Sequence, residues 1–147
     1  MRLSKIGSIV LPDSSVNDEK TLENKTRKIA IIARACGIFK VDEIIIYKDG
    51  KENEQDSKLM HTIFKYLSTP QYFRRRIFPK SNLLKFAGLL PPLKTPNQTG
   101  TSHSDEIKIG DFREGIVLGV KGKKVIDVGV SQLIPYNGKQ SIGRKII

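Results

Sequence analysis

The first half of the chain alternates between short apolar runs and one long amphipathic segment. Residues 8–11 (SIVL) end at a Pro-Asp-Ser-Ser turn and predict a short buried strand. Apolar side chains recur at helical spacing over residues 17–39, which predicts a helix of about five turns. The nearly continuous apolar run at residues 41–47 (VDEIIIY) predicts a strand covered on both faces. A strand, a helix and a strand in this order form a βαβ unit, so we expect two parallel strands in one sheet.

A second amphipathic segment follows a polar surface loop predicted at residues 48–56. Its apolar side chains repeat at i, i+1, i+4, i+5 and i+8, which predicts a helix. The members of this stripe are Leu59, Met60, Ile63, Phe64 and Leu67. His61 falls off the stripe and is expected to face solvent. Because His103 is the only other histidine, neither a metal site nor histidine-based catalysis is predicted.

Three consecutive arginines and then an apolar, proline-rich segment follow. Thr69-Pro70 has the form of an N-cap and a first helical residue, so a short helix is predicted over residues 70–78 and ended by Pro79. The apolar run at residues 83–93 (LLKFAGLLPPL) fits either a buried strand or a segment that packs against another subunit.

The second half of the chain has the pattern of a β protein. Residues 116–120 and 124–130 are β-branched runs that flank a Gly122-Lys123 turn, and we predict that they pair as a hairpin with a basic tip. A short basic strand is expected at residues 144–147. The turn-rich residues 95–105 between the two halves predict a linker or an insertion boundary.

Composition indicates a small cytoplasmic protein without membrane contact. The 147 residues, 38% of them hydrophobic, fit one ordinary domain or one small domain with an appended module. No stretch approaches the roughly 20 apolar residues that span a bilayer, and the N-terminal apolar run is too short for a secretory signal. Cys36 is the only cysteine, which excludes an intrachain disulfide and a cysteine-based zinc site. We expect it to be a small core residue.

Positive charge is concentrated in the middle of the chain. The formal net charge is +11, and residues 57–104 contain eight Lys and Arg and no Asp or Glu. A field of one sign concentrates a polyanion, and contacts with phosphates release condensed counterions, so RNA or DNA is the predicted partner. The alternative is that the arginines form the solvated side of a short helix whose other side packs inward. A purely solvating surface would, however, gain as much from mixed signs.

Arginine suits a phosphate-binding role because its guanidinium group makes paired hydrogen bonds to phosphate and stacks on bases. We therefore predict RNA contacts on and just after the short helix, with a secondary basic site at the hairpin tip. The predicted RNA-binding residues are Arg74, Arg75, Arg76, Lys80, Lys121, Lys123 and Lys124. The nearby Tyr72, Phe73 and Phe78 either stack on unpaired bases or belong to the core.

Four blocks of sequence carry a resemblance to a known family. In order they are KIAIIARACGIFKVDEIIIYKD (residues 28–49), KYLSTPQYFRRRIFPK (65–80), LLKFAGLLPPLKTPN (83–97) and FREGIVLG (112–119). In their order and in their residues, these blocks resemble the archaeal and eukaryotic branch of RNA methyltransferases in the SPOUT class. The resemblance covers nearly the whole chain, and the combination of IARACGIFKVDEI, PQYFRRRIFP and FAGLLPPL is specific.

The resemblance implies a dimeric α/β sheet protein with a trefoil-knotted C-terminal part, interrupted by a β-barrel insertion that resembles an oligonucleotide-binding fold. Residues 1–97 would then be the N-terminal half of the α/β methyltransferase domain, and residues 106–147 the insertion. The family's cofactor, S-adenosylmethionine, is bound mainly by glycine-rich loops after the insertion, and this chain ends before such a segment. Methyl transfer requires that cofactor and RNA be held in line, so this chain alone is not expected to bind the cofactor, and no catalytic residue is assigned.

Three functions remain open at this point. The first is the N-terminal portion of an S-adenosylmethionine-dependent RNA methyltransferase that acts as a homodimer or with a complementary C-terminal chain. The second is a non-enzymatic RNA-binding module, or a truncated or split gene product that lacks the cofactor site. The third is a protein whose apolar residues 83–93 dock another subunit.

Overall fold

Two separate sheets organise the computed structural model, which describes residues 7–50, 54–91, 93, 109–110 and 112–146. One sheet has two parallel strands, and the other has four antiparallel strands, so the described chain is a mixed α/β protein. The chain divides into two compact units. The first contains Met1–Thr69 and Arg76–Lys94, and the second contains Pro70–Arg75 and Thr95–Ile147. No helix among the described residues is long and apolar enough to cross a membrane.

The first unit contains the βαβ arrangement that the apolar pattern predicted. Strands β1 (Ser8–Pro12) and β2 (Glu43–Tyr47) pair in parallel, and helix α1 (Leu22–Ile38) lies between them in sequence. Thr21 Oγ1 caps the helix by accepting a hydrogen bond of 3.1 Å from the amide of Asn24. The helix begins at Leu22 rather than at the predicted residue 17, because Thr21 has the extended backbone of an N-cap, with φ of −111° and ψ of 149°.

Helix α2 (Glu54–Leu67) packs its predicted apolar stripe into the core of this unit. All five stripe residues are buried, and they form one cluster with Val16, Ile29 and Ala33. Cys36 on α1 is buried, as predicted, and its burial raises the pKa of the thiol. The predicted polar loop is shorter than expected because α2 begins at Glu54, and residues 51–53 lie outside the described residues.

Strand β2 departs from the expectation that it is covered on both faces. Ile44 and Ile46 pack against the core, but Ile45 and Tyr47 on the opposite face are 42% and 46% exposed. Val10 of β1 pairs with Ile45 and shares this open face. Successive side chains of a strand point to opposite faces, and the described helices of this unit cover one face. An apolar run does not reveal whether the polypeptide that covers the second face belongs to the same chain.

Helix α3 (Gln71–Ile77) is the predicted short helix with the arginines. The apolar segment after it is not the buried strand that was one of the two predictions. It forms two 3₁₀ turns, Asn82–Leu84 and Ala87–Leu89, and Ser81 Oγ accepts a hydrogen bond of 3.2 Å from the amide of Leu83 at the first turn. The predicted linker at residues 95–105 lies outside the described residues.

The second unit contains the antiparallel sheet, in the order β5-β4-β3-β6. Its strands are β3 (Gly115–Val120), β4 (Lys123–Asp127), β5 (Ile134–Pro135) and β6 (Lys145–Ile146). Strands β3 and β4 form the predicted hairpin, and β6 matches the predicted basic strand at the end of the chain. Lys121 and Gly122 connect β3 to β4 with φ of 47° and 76°, the left-handed pair that a tight hairpin turn requires.

Candidate nucleic-acid interface

The three arginines of α3 have different surroundings. Arg74 is buried, with 8% of its surface exposed, whereas Arg75 and Arg76 are exposed. Successive residues of a helix are about 100° apart around its axis, so three consecutive side chains do not share one face. Arg74 and Arg75 belong to the second unit and Arg76 to the first. Arg75 and Arg76 are therefore the two arginines that are accessible to solvent and to a phosphate group.

Aromatic packing fixes the first turn of α3 in the second unit. The hydroxyl of Tyr72 donates a hydrogen bond of 3.1 Å to the carbonyl oxygen of Glu114. The ring of Tyr72 lies so close to Gly129 that a Cβ there would be 2.2 Å from a ring carbon. Burial raises the pKa of Tyr72. Phe73 is fully buried, so it and Tyr72 serve the packing of the protein.

The three lysines of the predicted secondary site at the hairpin tip also have different surroundings. Lys121 and Lys123 are exposed, whereas Lys124 is half-buried and its Nζ donates a hydrogen bond of 2.9 Å to the carbonyl oxygen of Gln140. Lys123 is paired with Val120 and Lys124 with Gly119, so the two lysines point to opposite faces of the hairpin. Lys124 holds a neighbouring segment, and Lys121 and Lys123 are the exposed lysines at the tip.

Lys80, the remaining predicted residue, is exposed and belongs to the first unit with Arg76. The structure thus assigns Arg75 and the hairpin lysines to the second unit, and Arg76 and Lys80 to the first. Phe78, also in the first unit, makes an edge-on contact with Tyr66, with ring centroids 5.3 Å apart. Its ring is therefore engaged within the protein.

On the described surface of the second unit, cations are exposed and the carboxylates are buried or half-buried. Its described acidic residues are Glu114 and Asp127. Asp127 is buried and its Oδ1 accepts a hydrogen bond of 2.8 Å from the amide of Gly129. Glu114 is half-buried, with Oε2 3.7 Å from Lys145 Nζ. In the first unit, by contrast, carboxylates are exposed among the cations: Asp18, Asp42, Glu43, Asp49 and Glu54.

Sequence reasoning missed three exposed cations of the second unit, Lys139, Arg144 and Lys145, the last of which lies 3.7 Å from Glu114 Oε2. A signal for them was present, because no Asp or Glu occurs anywhere after Asp127. Their position beside the hairpin depends on long-range contacts that the sequence does not disclose.

A polar cluster at the carboxyl ends of β1 and β2 was also missed. The amide of Ser14 donates to Asp49 Oδ1 at 3.3 Å, the Ser14 hydroxyl donates to the other carboxylate oxygen, and the amide of Asp49 donates to Asp13 Oδ1 at 3.3 Å. The hydrogen bond from the Ser14 hydroxyl lowers the pKa of Asp49. The signal for this cluster was a polar group directly after each strand of a parallel pair. Its contacts tie the ends of the two strands together.

The described residues contain no group of three or more His, Cys, Asp or Glu arranged to hold a metal ion. His61 is exposed, as predicted, and His103 lies outside the described part of the chain.

Comparison with known proteins identifies the family. A family model described as "Putative RNA methyltransferase" matches residues 7–146. The human 28S rRNA (uridine-N(3))-methyltransferase is 37% identical over 126 residues, which is 76% of this chain and 32% of the human protein. The mouse protein of the same name is 30% identical over 158 residues, covering 95% of this chain and 40% of the mouse protein.

An archaeal relative, an uncharacterized protein of Halobacterium salinarum, is 32% identical over 130 residues, covering 86% of this chain and 45% of the relative. The chain therefore spans less than half the length of these relatives. Since the family model matches nearly the whole sequence, the chain belongs to this family of RNA methyltransferases.

Proposed function

We propose that this chain is the N-terminal portion of an S-adenosylmethionine-dependent RNA methyltransferase and that it supplies RNA contacts. Family membership supports a methyltransferase, and two relatives are named as enzymes that act on 28S rRNA. RNA is therefore the partner we favour over DNA. A cytoplasmic location remains our expectation.

The observation that carries the RNA-binding part is the exposure of cations without exposed carboxylates among the described residues of the second unit. Arg75, Lys121 and Lys123 are exposed there, while Asp127 is buried and Glu114 is half-buried. We propose that these three cations contact RNA phosphates, and that Arg76 and Lys80 of the first unit add further contacts. Arg74 and Lys124 would act indirectly, because one is buried and the other holds Gln140.

The fold we propose for the complete enzyme is a knotted SPOUT-type parallel sheet with an oligonucleotide-binding-like insertion. Residues 1–97 would be the first half of the methyltransferase domain, and residues 106–147 would lie in the insertion. The parallel pairing of β1 with β2 and the separate antiparallel sheet support this division.

A second polypeptide segment, from a longer protein, a complementary chain or a second copy, would complete the first sheet. Parallel sheets are nearly always covered on both faces, and here Val10, Ile45 and Tyr47 leave one face open. A groove of about 560 Å³, lined in part by Ile44, Ile46 and Leu83, offers further apolar surface beside β2. The cofactor, bound with this segment, would supply the methyl group, and the contacts described above would hold the RNA.

A non-enzymatic RNA-binding module is the second candidate, favoured by the fact that exposed cations suffice for phosphate contact without a cofactor. Titration calorimetry of the 147-residue chain with S-adenosylmethionine separates the two. Binding to the chain alone supports an enzyme whose cofactor site is formed here. Binding only after a C-terminal half from a relative is added supports a two-part enzyme, and absence of binding in both cases supports the module.

A further inference from the structure

The hairpin of the second unit and the segment beside it form one tethered structure. Lys124 Nζ donates to the carbonyl oxygen of Gln140 at 2.9 Å, and the amide of Gly143 donates to the carbonyl oxygen of Val117 at 2.8 Å. Ile142 packs on Gly119 so closely that a Cβ at Gly119 would lie 2.8 Å from its Cδ1. Gln140 and Ile142 therefore lie over the face of the hairpin to which Gly119 and Lys124 point. Gly143 and Arg144 instead continue β6 along the edge of β3, where the carbonyl oxygen of Arg144 accepts a hydrogen bond of 3.0 Å from the amide of Val117.

This arrangement distributes cations over the tip and both faces of the hairpin. Lys121 is at the tip, and Lys123 points away from the face on which Gln140 and Ile142 lie. Lys139, next to Gln140, is carried by the tethered segment on the opposite face, whereas Arg144 lies at the β3 edge, and both are exposed. Positive charge on the tip, the two faces and the β3 edge matches the two phosphate strands that border the wide, shallow minor groove of duplex RNA better than it matches one extended strand.

The aromatic side chains of the second unit argue against a single-stranded ligand. Proteins that bind single strands stack successive bases on aromatic rings, whereas duplex RNA is recognised through its backbone and shape. Tyr72 and Phe73 are engaged in packing, and the ring of Tyr136 lies against Gly138, where a Cβ would be 2.2 Å from ring atoms. Phe112 is the one exposed aromatic residue among the described residues of this unit. One ring does not form a platform for successive bases.

We propose that the β3–β4 hairpin, with the segment that Lys124 tethers to it, binds across the minor groove of double-helical RNA and contacts the two phosphate strands that border it. Lys121 and Lys123 contact the backbone from the tip and one face, Lys139 contacts it from the other face, and Arg144 contacts it from the edge beside β3. This inference rests on the proposed RNA-binding function and specifies the form of RNA. It also assigns Lys124 as a positioning residue.

Fluorescence anisotropy of the full 147-residue chain, with a 16-base-pair RNA duplex and with one of its strands, tests the inference. We expect the duplex to bind at least about tenfold more tightly. The variant Lys123→Ala/Lys139→Ala removes one cation from each face and should reduce the slope of log affinity against log salt by about 1.8 on the duplex, at about 0.9 per phosphate contact. On the single strand, which touches one face, the reduction should be no more than about half as large. Lys20→Ala, an exposed lysine of the first unit, is the control and should leave the slope unchanged.

Equal or tighter binding of the single strand, especially if Phe112→Ala weakens it, would overturn the duplex assignment and leave RNA binding itself intact. No binding of either RNA would overturn both this inference and the proposed function. Lys124→Ala provides a second readout. Loss of the tether should weaken duplex binding and also speed hydrogen exchange of the Gly143 amide. If Lys124 acted only through its charge, that exchange rate would stay unchanged.

Discussion

The hydroxyl of Tyr72 donates a hydrogen bond of 3.1 Å to the carbonyl oxygen of Glu114, across 42 residues of sequence. The contact joins the first turn of α3 to the residue just before β3. The position of Arg75 therefore depends on an aromatic side chain that is itself committed to packing. In this part of the molecule, the proposed RNA contacts and the stability of the fold are linked.

Tyr72→Phe removes this hydrogen bond and should destabilise the second unit by about 1 kcal/mol. Hydrogen exchange of the β3 and β4 amides measures the change. Because burial raises the pKa of Tyr72 above its ordinary value of 10.0, the tyrosine stabilises the fold fully below about pH 10 and less as pH rises above it. The difference between wild type and variant should therefore shrink at alkaline pH. A difference that stays constant would contradict the role given to the hydroxyl.

Gly129→Ala should destabilise the second unit more than Gly122→Ala. Both glycines have left-handed backbone angles, with φ of 78° and 76°, so both substitutions carry a backbone cost of about 1–2 kcal/mol. A Cβ at Gly122 meets nothing within 4 Å, whereas a Cβ at Gly129 would collide with the Tyr72 ring. Chemical denaturation of the two variants isolates the ring contact. Equal destabilisation would mean that Tyr72 does not pack on Gly129.

Asp49→Asn should lower the stability of the first unit at neutral pH, because it weakens the acceptor for Ser14 at the ends of β1 and β2. The pKa of Asp49 is below its ordinary value of 3.8, so its stabilising effect is present above about that pH and is lost as pH falls through the lowered value. Thermal unfolding from pH 7 to pH 2 should show the two proteins converging in acid. Lys20→Ala, an exposed lysine elsewhere in the first unit, serves as the control and should follow the wild-type curve.

Local patterns were sufficient to predict the two strands and the two long helices of the first unit. The apolar stripe around Ile63 has the spacing of a helix, and the apolar run Ile44–Ile46 is typical of a strand. Each of these elements could therefore be predicted from its own stretch of sequence. The same patterns did not predict what covers the outer face of β2, because the apolar character of Ile45 is the same whatever polypeptide lies over it. The 3₁₀ turns near Leu84 were missed because an apolar run does not distinguish a strand from tight turns.

The candidate interface was predictable in composition but not in geometry. The arginine run identified a basic helix, yet Arg74 is buried because α3 turns each successive side chain to a new direction. Lys123 and Lys124 are adjacent in sequence and were predicted to form one basic site, but successive side chains of a strand point to opposite faces, so the two lysines lie apart. Lys139 and Arg144 depend on the tethers at Gln140 and Gly143, which connect distant parts of the sequence.

The salt dependence of RNA binding by Arg75→Ala/Arg76→Ala tests the central claim most directly. The matched control is Arg27→Ala/Arg34→Ala, which removes two exposed arginines from α1 and the same total charge. We predict that the α3 variant binds RNA more weakly and that its slope of log affinity against log salt falls by about 1.4–1.8, whereas the control keeps the wild-type slope. An unchanged slope in the α3 variant, or an equal fall in the control, would contradict the assignment of these arginines to RNA.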